Sequence, residues 1–193
     1  MRNEKIQLLL IVLGTLGFWG YQLTHAATRY FLTQTPYTAC FSPKGKCEDT
    51  VIHLINQANK SLYIQSYSFT SKKIARTLIN AKKRGVDIQM IVDKSLFDPE
   101  NSHSCIKELL SAGIPVWVDS QVSIQHNKVM IVDKKILETG SYNYTVSANH
   151  YNAENVLIIE SPELAFLYWG NWKNRQLIST PANRYHYKKR HRY

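Results

Sequence analysis

Past residue 26, apolar and polar residues alternate with changing period, and each change marks an element. Between Asp49 and Asn59, Val51, Ile52, Leu54, Ile55 and Ala58 recur at helical spacing. Ser61 to Phe69 (SLYIQSYSF) is rich in aromatic and β-branched residues and reads as a strand. Ser71 is placed to cap a helix with Ile74, Leu78 and Ile79 on one face. Gly85 is placed to stop it, and Lys82, Lys83 and Arg84 complement its C-terminus. Val86 to Val92 then reads as a strand, Asn101 to Ala112 as a helix closed by Gly113, and Ile114 to Val118 as a further strand. This β-α-β-α-β order predicts an α/β fold, a mixed and largely parallel sheet flanked by helices.

The second half carries a different pattern. Ile124 to Val132 and Ile136 to Asn143 are extended runs joined tightly at Asp133-Lys134-Lys135, which predicts a hairpin. Asn155 to Ile159 is another strand. Ser161-Pro162-Glu163 opens a last helix carrying Leu164, Leu167, Tyr168, Trp172 and Leu177, with Ser as cap and Pro at the first helical position. Arg184 to Tyr193 holds Lys, Arg and Tyr but no acid, so residues 180–193 are expected to form a basic mobile tail behind a domain spanning residues 27–179.

Composition narrows the class. The length, 193 residues, suits one domain, and 44% hydrophobic with 20% charged residues excludes disorder as the main state. A formal charge of +10 implies attraction to polyanions, either nucleic acid or anionic lipid, without choosing between them. At the N-terminus, Arg2 and Lys5 precede an apolar stretch from Ile6 to Leu23 that ends in Thr24-His25-Ala26-Ala27. That is the layout of a signal peptide over residues 1–26, directing export to the periplasm or medium. The alternative is a membrane anchor through residues 6–23, with the remainder facing out of the cytoplasm.

Export makes the cysteines readable. Cys40 and Cys47 bracket a short turn and suit a disulfide, which leaves Cys105 over. A zinc site joining Cys40, Cys47, His103 and Cys105 competes with this, although the spacing fits no compact zinc module.

The chemistry concentrates in Gln125-His126-Asn127-Lys128-Val129-Met130-Ile131-Val132-Asp133 and Thr139-Gly140-Ser141-Tyr142-Asn143. Alternation along strands places His126 and Lys128 on one face, and Ser141 and Asn143 on one face of the return strand. With Lys134-Lys135 as a two-residue loop, His126 faces Asn143 and Lys128 faces Ser141. With Asp133-Lys134 as the loop, His126 faces Ser141. Gly140 is expected to let the chain approach a ligand closely. The group offers a nucleophile or base, a fixed cation and two neutral donors, which suits a phosphodiester: charge develops on non-bridging oxygens and histidine can form a covalent intermediate.

The pattern His126-x-Lys128-x4-Asp133-x6-Gly140-Ser141-x-Asn143 resembles the signature of the phospholipase D superfamily, and the chain is similar to its small exported bacterial endonucleases over about residues 40–177. Tyr67-Ser68-Phe69-Thr70-Ser71, Ala81-Lys82-Lys83-Arg84-Gly85-Val86 and Glu154-Asn155-Val156-Leu157 contribute to the likeness. The resemblance implies that His126 attacks phosphorus, that Lys128 and Asn143 hold phosphate oxygens, that Ser141 lines the pocket and that Glu154 orients the histidine ring. Asp133, at the hairpin end, reads as structural.

None of His25, His53, His103, His150, His186 or His191 opens a second copy of this pattern. The reaction needs a proton donor opposite the nucleophile, so the resemblance implies a homodimer that pairs His126 from two copies in one composite site. No cofactor and no metal are expected: the chain has no dense Asp/Glu cluster of the kind that Mg²⁺-dependent nucleases use. The functional expectation is a metal-independent endonuclease acting on DNA, RNA or both. The alternatives are a phospholipase D acting on membrane phospholipid and a non-catalytic nucleic-acid-binding module.

Overall fold

The structure is a computed structural model, and it describes residues 34–101 and 103–187. The leader or anchor expected at residues 1–26, and residues 188–193 of the expected tail, lie outside the described residues. Strands and helices alternate along the chain: β1 (Tyr37–Ser42), α1 (Cys47–Gln57), β2 (Ser61–Ser66), α2 (Lys72–Lys83), β3 (Asp87–Asp93), α3 (Ile106–Ser111) and β4 (Val116–Asp119). There follow β5 (Lys128–Val132), β6 (Ile136–Gly140), α4 (Val146–His150), β7 (Glu154–Ile159), α5 (Pro162–Ile178) and β8 (Thr180–Pro181).

The strands form one 8-stranded sheet in the order β1-β7-β6-β5-β2-β3-β4-β8. Parallel pairing joins β2 to β3 and β3 to β4, as the β-α-β-α-β reading requires. Every other pairing is antiparallel, so the sheet is mixed but less parallel than expected. The difference comes from β5, β6 and β7, which pair antiparallel with their neighbours, as well as from β1 and β8, which cap the two edges. β1 was not foreseen because its residues alternate weakly, and β8 is only two residues long and ends in proline.

Central β2 is buried on both faces. Leu62 and Ile64 join Val51, Leu54, Ile55, Ile74 and Leu78 in the larger core beneath α1 and α2. Tyr63 points the other way, where Trp172 of α5 lies 5.0 Å from its ring centroid and donates its indole N–H to the Ile64 carbonyl at 3.0 Å. Arg175 of α5 is paired with fully buried Asp119 at the end of β4. The helix ends follow the sequence. Ser71 accepts the Ile74 amide at 3.2 Å, Ser161 accepts that of Leu164 at 3.3 Å, and Gly85 turns the chain out of α2 at φ 94°.

Cys40 and Cys47 are disulfide-bonded with Cα atoms 5.7 Å apart, and Cys105 is a buried free thiol. The competing zinc set therefore fails, because two of its three thiolates are used in the bond. Residues 180–187 are packed rather than free. Thr180 and Pro181 pair with β4, Tyr185 meets Phe97 edge-on at 5.6 Å, and the Tyr187 hydroxyl donates to Asp98 at 2.6 Å. Among the described residues, no helix is long and apolar enough to cross a membrane.

Candidate active site

The hairpin expected at Asp133 is present, but in neither expected register. Val132 opposes Ile136 and Val129 opposes Thr139, so the loop is three residues long. Asp133 (φ 53°) and Lys134 (φ 55°) both take the left-handed conformation to make it. Strand β5 begins at Lys128 and β6 ends at Gly140, which leaves His126, Ser141 and Asn143 on flanking loops rather than on the ladder. Lys128 is tied to His126, and Ser141 to Glu154, whose charge reaches Lys128. The Asn155 carbonyl accepts from both Ser141 N–H (3.1 Å) and Tyr142 N–H (3.2 Å), a bulge that resets the alternation after Gly140.

Gly140 has its own role in this bulge. A Cβ there would lie 2.2 Å from the Asn155 carbonyl oxygen. The close approach that requires glycine is to the neighbouring strand, not to a ligand as the sequence reading held.

His126 is exposed, on a loop fastened from beneath. The buried Asp93 carboxylate at the end of β3 accepts the Gln125 amide at 2.7 Å and the Ser95 amide at 2.8 Å. The buried Gln125 side-chain oxygen in turn accepts the Asn127 amide at 2.8 Å. Across the neighbouring strand end, the Tyr67 ring packs against the His126 imidazole with centroids 4.7 Å apart. Neither Asp93, Gln125 nor Tyr67 was singled out as a site residue. Tyr67 lies within the recognisable Tyr67–Ser71 segment, which was its one available signal.

Lys128, only 4% exposed, lies beneath. Its Nζ donates to the His126 carbonyl oxygen at 2.6 Å and sits 5.3 Å from the Tyr67 ring centroid. Burial lowers its pKa from the ordinary lysine value, and the nearby charge of Glu154 partly opposes that shift. The second half of the site is a hydrogen-bonded group. Ser141 Oγ donates to Glu154 at 2.6 Å, Asn152 Nδ2 donates to the other Glu154 oxygen at 2.9 Å, and Ser141 Oγ accepts from the Asn155 amide at 3.1 Å. Both Glu154 oxygens are thus engaged within β7 and the bulge, and the ring contact of His126 is with Tyr67. Half-buried Asn143 has a buried side-chain oxygen with no partner among the described residues.

Asp133 stands apart from this site. Its carboxylate accepts the backbone amides of Asn59 (3.1 Å), Lys60 (2.8 Å) and Ser61 (2.8 Å), holding the hairpin tip to the start of β2. The basic run Lys82-Lys83-Arg84 also lies at that end of the sheet, away from His126.

Beneath the bulge, fully buried Glu138 accepts the Tyr144 hydroxyl at 2.6 Å, and burial raises its carboxyl pKa to about 8. Burial also pushes the Tyr142 and Tyr144 phenols up. Among the described residues, no three His, Cys, Asp or Glu side chains converge as a metal site.

An exposed imidazole over a buried ammonium can attack phosphorus and stabilise its oxygens. Comparison with known proteins bears on that chemistry. Residues 51–174 match the family model for the cardiolipin synthase, phospholipase D-like domain. Phospholipase D of Rickettsia prowazekii is 37% identical over 168 residues, covering 85% of this chain and 81% of that one. Phospholipase D of Rickettsia conorii is 41% identical over 145 residues, covering 75% and 72%. The crystal structure of Nuc, a phospholipase D family member from Salmonella typhimurium, superposes with a TM-score of 0.70 at 34% identity, covering 77% of this chain and 98% of that one. With the signature present around His126 and the family model matching residues 51–174, the chain belongs to the phospholipase D superfamily of phosphodiesterases.

Proposed function

We propose that this protein is a metal-independent endonuclease, cleaving DNA, RNA or both through a phosphohistidine at His126. The observation that carries the reading is the pairing of an exposed His126 with a buried cation, Lys128, at the start of β5. An exposed nucleophile is within reach of a long polymer, and the net charge of +10 favours a polyanion.

In the first step a His126 ring nitrogen attacks phosphorus and the bond to the leaving oxygen breaks. Lys128 and Asn143 hold the non-bridging oxygens, with Ser141 beside them. His126 of a second copy gives the leaving oxygen its proton. That imidazole then takes a proton from water, whose oxygen attacks phosphorus and breaks the N–P bond. The exposure of His126 suits such a pairing across a twofold axis, and one signature per chain requires it. Glu154 supports the site through Ser141 within one copy; orientation of a histidine ring by Glu154 falls to the assembled dimer. The leader at residues 1–26, or an anchor at 6–23, would place this activity outside the cytoplasm.

A second reading is head-group hydrolysis of phospholipid, favoured by the Rickettsia prowazekii relative named phospholipase D at 37% identity. Incubation of the purified protein with plasmid, RNA and phosphatidylglycerol–cardiolipin vesicles, each in EDTA, separates the readings. Cutting of plasmid or RNA with intact lipid is expected. Lipid turnover with intact nucleic acid selects the second reading. Analytical ultracentrifugation tests the assembly: a dimer is expected, and an active strict monomer overturns it.

A further inference from the structure

Three loops meet at the end of the sheet opposite His126. The Asp87 amide donates to the Lys60 carbonyl at 2.9 Å, Arg84 reaches the Ala58 carbonyl at 3.4 Å, and Asp133 accepts the amides of residues 59–61. These contacts join the α1–β2, α2–β3 and β5–β6 connections into one surface. That surface carries Lys60, Lys82, Lys83, Arg84, Lys134 and Lys135. Against them stand Asp133, engaged by three amides, and Asp87, which accepts from Gln89 at 3.0 Å. Glu160, directly after β7, and Glu163, in the first turn of α5, border the same end, because Ile159 pairs with Leu137 beside the hairpin.

Local structure accounts for only part of this charge. Lys82 and Lys83 complement the C-terminus of α2, and the Arg84 guanidinium caps carbonyls of α1 and its turn. Lys134 lies 3.9 Å from the Trp169 ring centroid. Exposed Lys60 and Lys135 serve no helix and have no side-chain partner among the described residues. The surface is also remote from the chemistry: β2 runs from Ser61 at this end to Ser66, opposite Lys128, a span of about 17 Å.

We propose that this basic end binds an anionic lipid surface and holds the protein there with His126 turned away from it. A nucleic acid strand bound at these loop tips would not lead to the site. Lysines at loop tips supply the unspecific attraction that a charged plane rewards, whereas bidentate arginine recognition is absent because the one arginine is occupied with carbonyls. The inference rests on the nucleic-acid reading of the site, since a phospholipase held this way would face its histidine away from the lipid.

The test compares the full chain with K60Q/K83Q/K135Q, one exposed lysine from each loop. Flotation on phosphatidylglycerol-containing and on pure phosphatidylcholine vesicles gives a ratio that isolates charge from apolar insertion. The ratio is expected to fall by on the order of 20–100-fold in the variant and to collapse at high salt. Hydrolysis of bis(p-nitrophenyl) phosphate should be unchanged, which also reports intact folding. A control, K72Q/K107Q, removes charge elsewhere and should move the ratio less than twofold. An unchanged ratio in the triple variant, or an equal fall in the control, overturns the proposal. So does a loss of affinity for a labelled oligonucleotide with the vesicle ratio unmoved, which would assign the surface to nucleic acid.

Discussion

The ammonium of Lys128 is tied to the backbone of His126, 2.6 Å from its carbonyl oxygen. Cation and nucleophile therefore hold a fixed spacing even though His126 lies beyond the end of β5. The tether also uses one of three ammonium protons, leaving two for a phosphate.

Two consequences follow for Lys128. Lys128→Met should reduce kcat/KM by about 10²–10³-fold, the range for loss of a charge-stabilising donor. Because burial lowers its pKa, the cation is lost at a lower pH than for an ordinary lysine. The alkaline limb of the kcat/KM profile should therefore fall below the ordinary lysine range, a limb missing from the residual activity of the variant. A profile flat through that range contradicts the assignment.

Asp133 belongs to the signature by sequence, yet its carboxylate spends its acceptors on three amides of the α1–β2 turn. Asp133→Ala should lower unfolding free energy by about 3 kcal/mol in urea titration while leaving the rate per folded molecule near wild type. A folded variant with no activity would give Asp133 a chemical role.

Gly140→Ala places a Cβ against the Asn155 carbonyl, and backbone cannot move aside as a flexible side chain does. Destabilisation of about 1–3 kcal/mol is expected, with loss of activity because the same carbonyl aligns Ser141. Unaltered thermal stability would show that the bulge is less constrained than described.

Glu138 links pH to stability. Burial raises its carboxyl pKa from 4.5 to about 8, so the folded state prefers the protonated form. Stability from this group is complete below pH 4.5 and declines as pH rises toward about 8, by on the order of 4 kcal/mol. Glu138→Gln keeps an acceptor for Tyr144 and removes the titration. The urea midpoint of the wild type should fall more than that of the variant between pH 5 and pH 8; parallel curves would count against a buried acid.

The sequence exposed the elements whose pattern is local. Helix α2 has its cap at Ser71, its apolar face and its stop at Gly85, all readable within fifteen residues. The family signature was legible too, because its residue types stand at fixed spacing around His126. What stayed hidden depends on contacts between distant segments. The three-residue turn at Asp133 is stabilised by amides of residues 59–61, so hairpin spacing alone gave the wrong register. The bulge at Ser141 is set by Asn155, and the support of His126 by Asp93 and Tyr67 spans large separations in sequence. Edge strand β1 exists because β7 offers it a ladder, which its own sequence does not announce.

The central claim is that His126 becomes covalently phosphorylated without a metal ion. Rapid quenching of the reaction in EDTA under alkaline conditions, which preserve phosphohistidine, followed by mass spectrometry of the peptides, tests it directly. The account predicts a phosphorylated adduct on the His126 peptide that forms and decays with turnover and is missing from folded, inactive His126→Ala. Turnover without any adduct, or turnover only after Mg²⁺ is added, would contradict it.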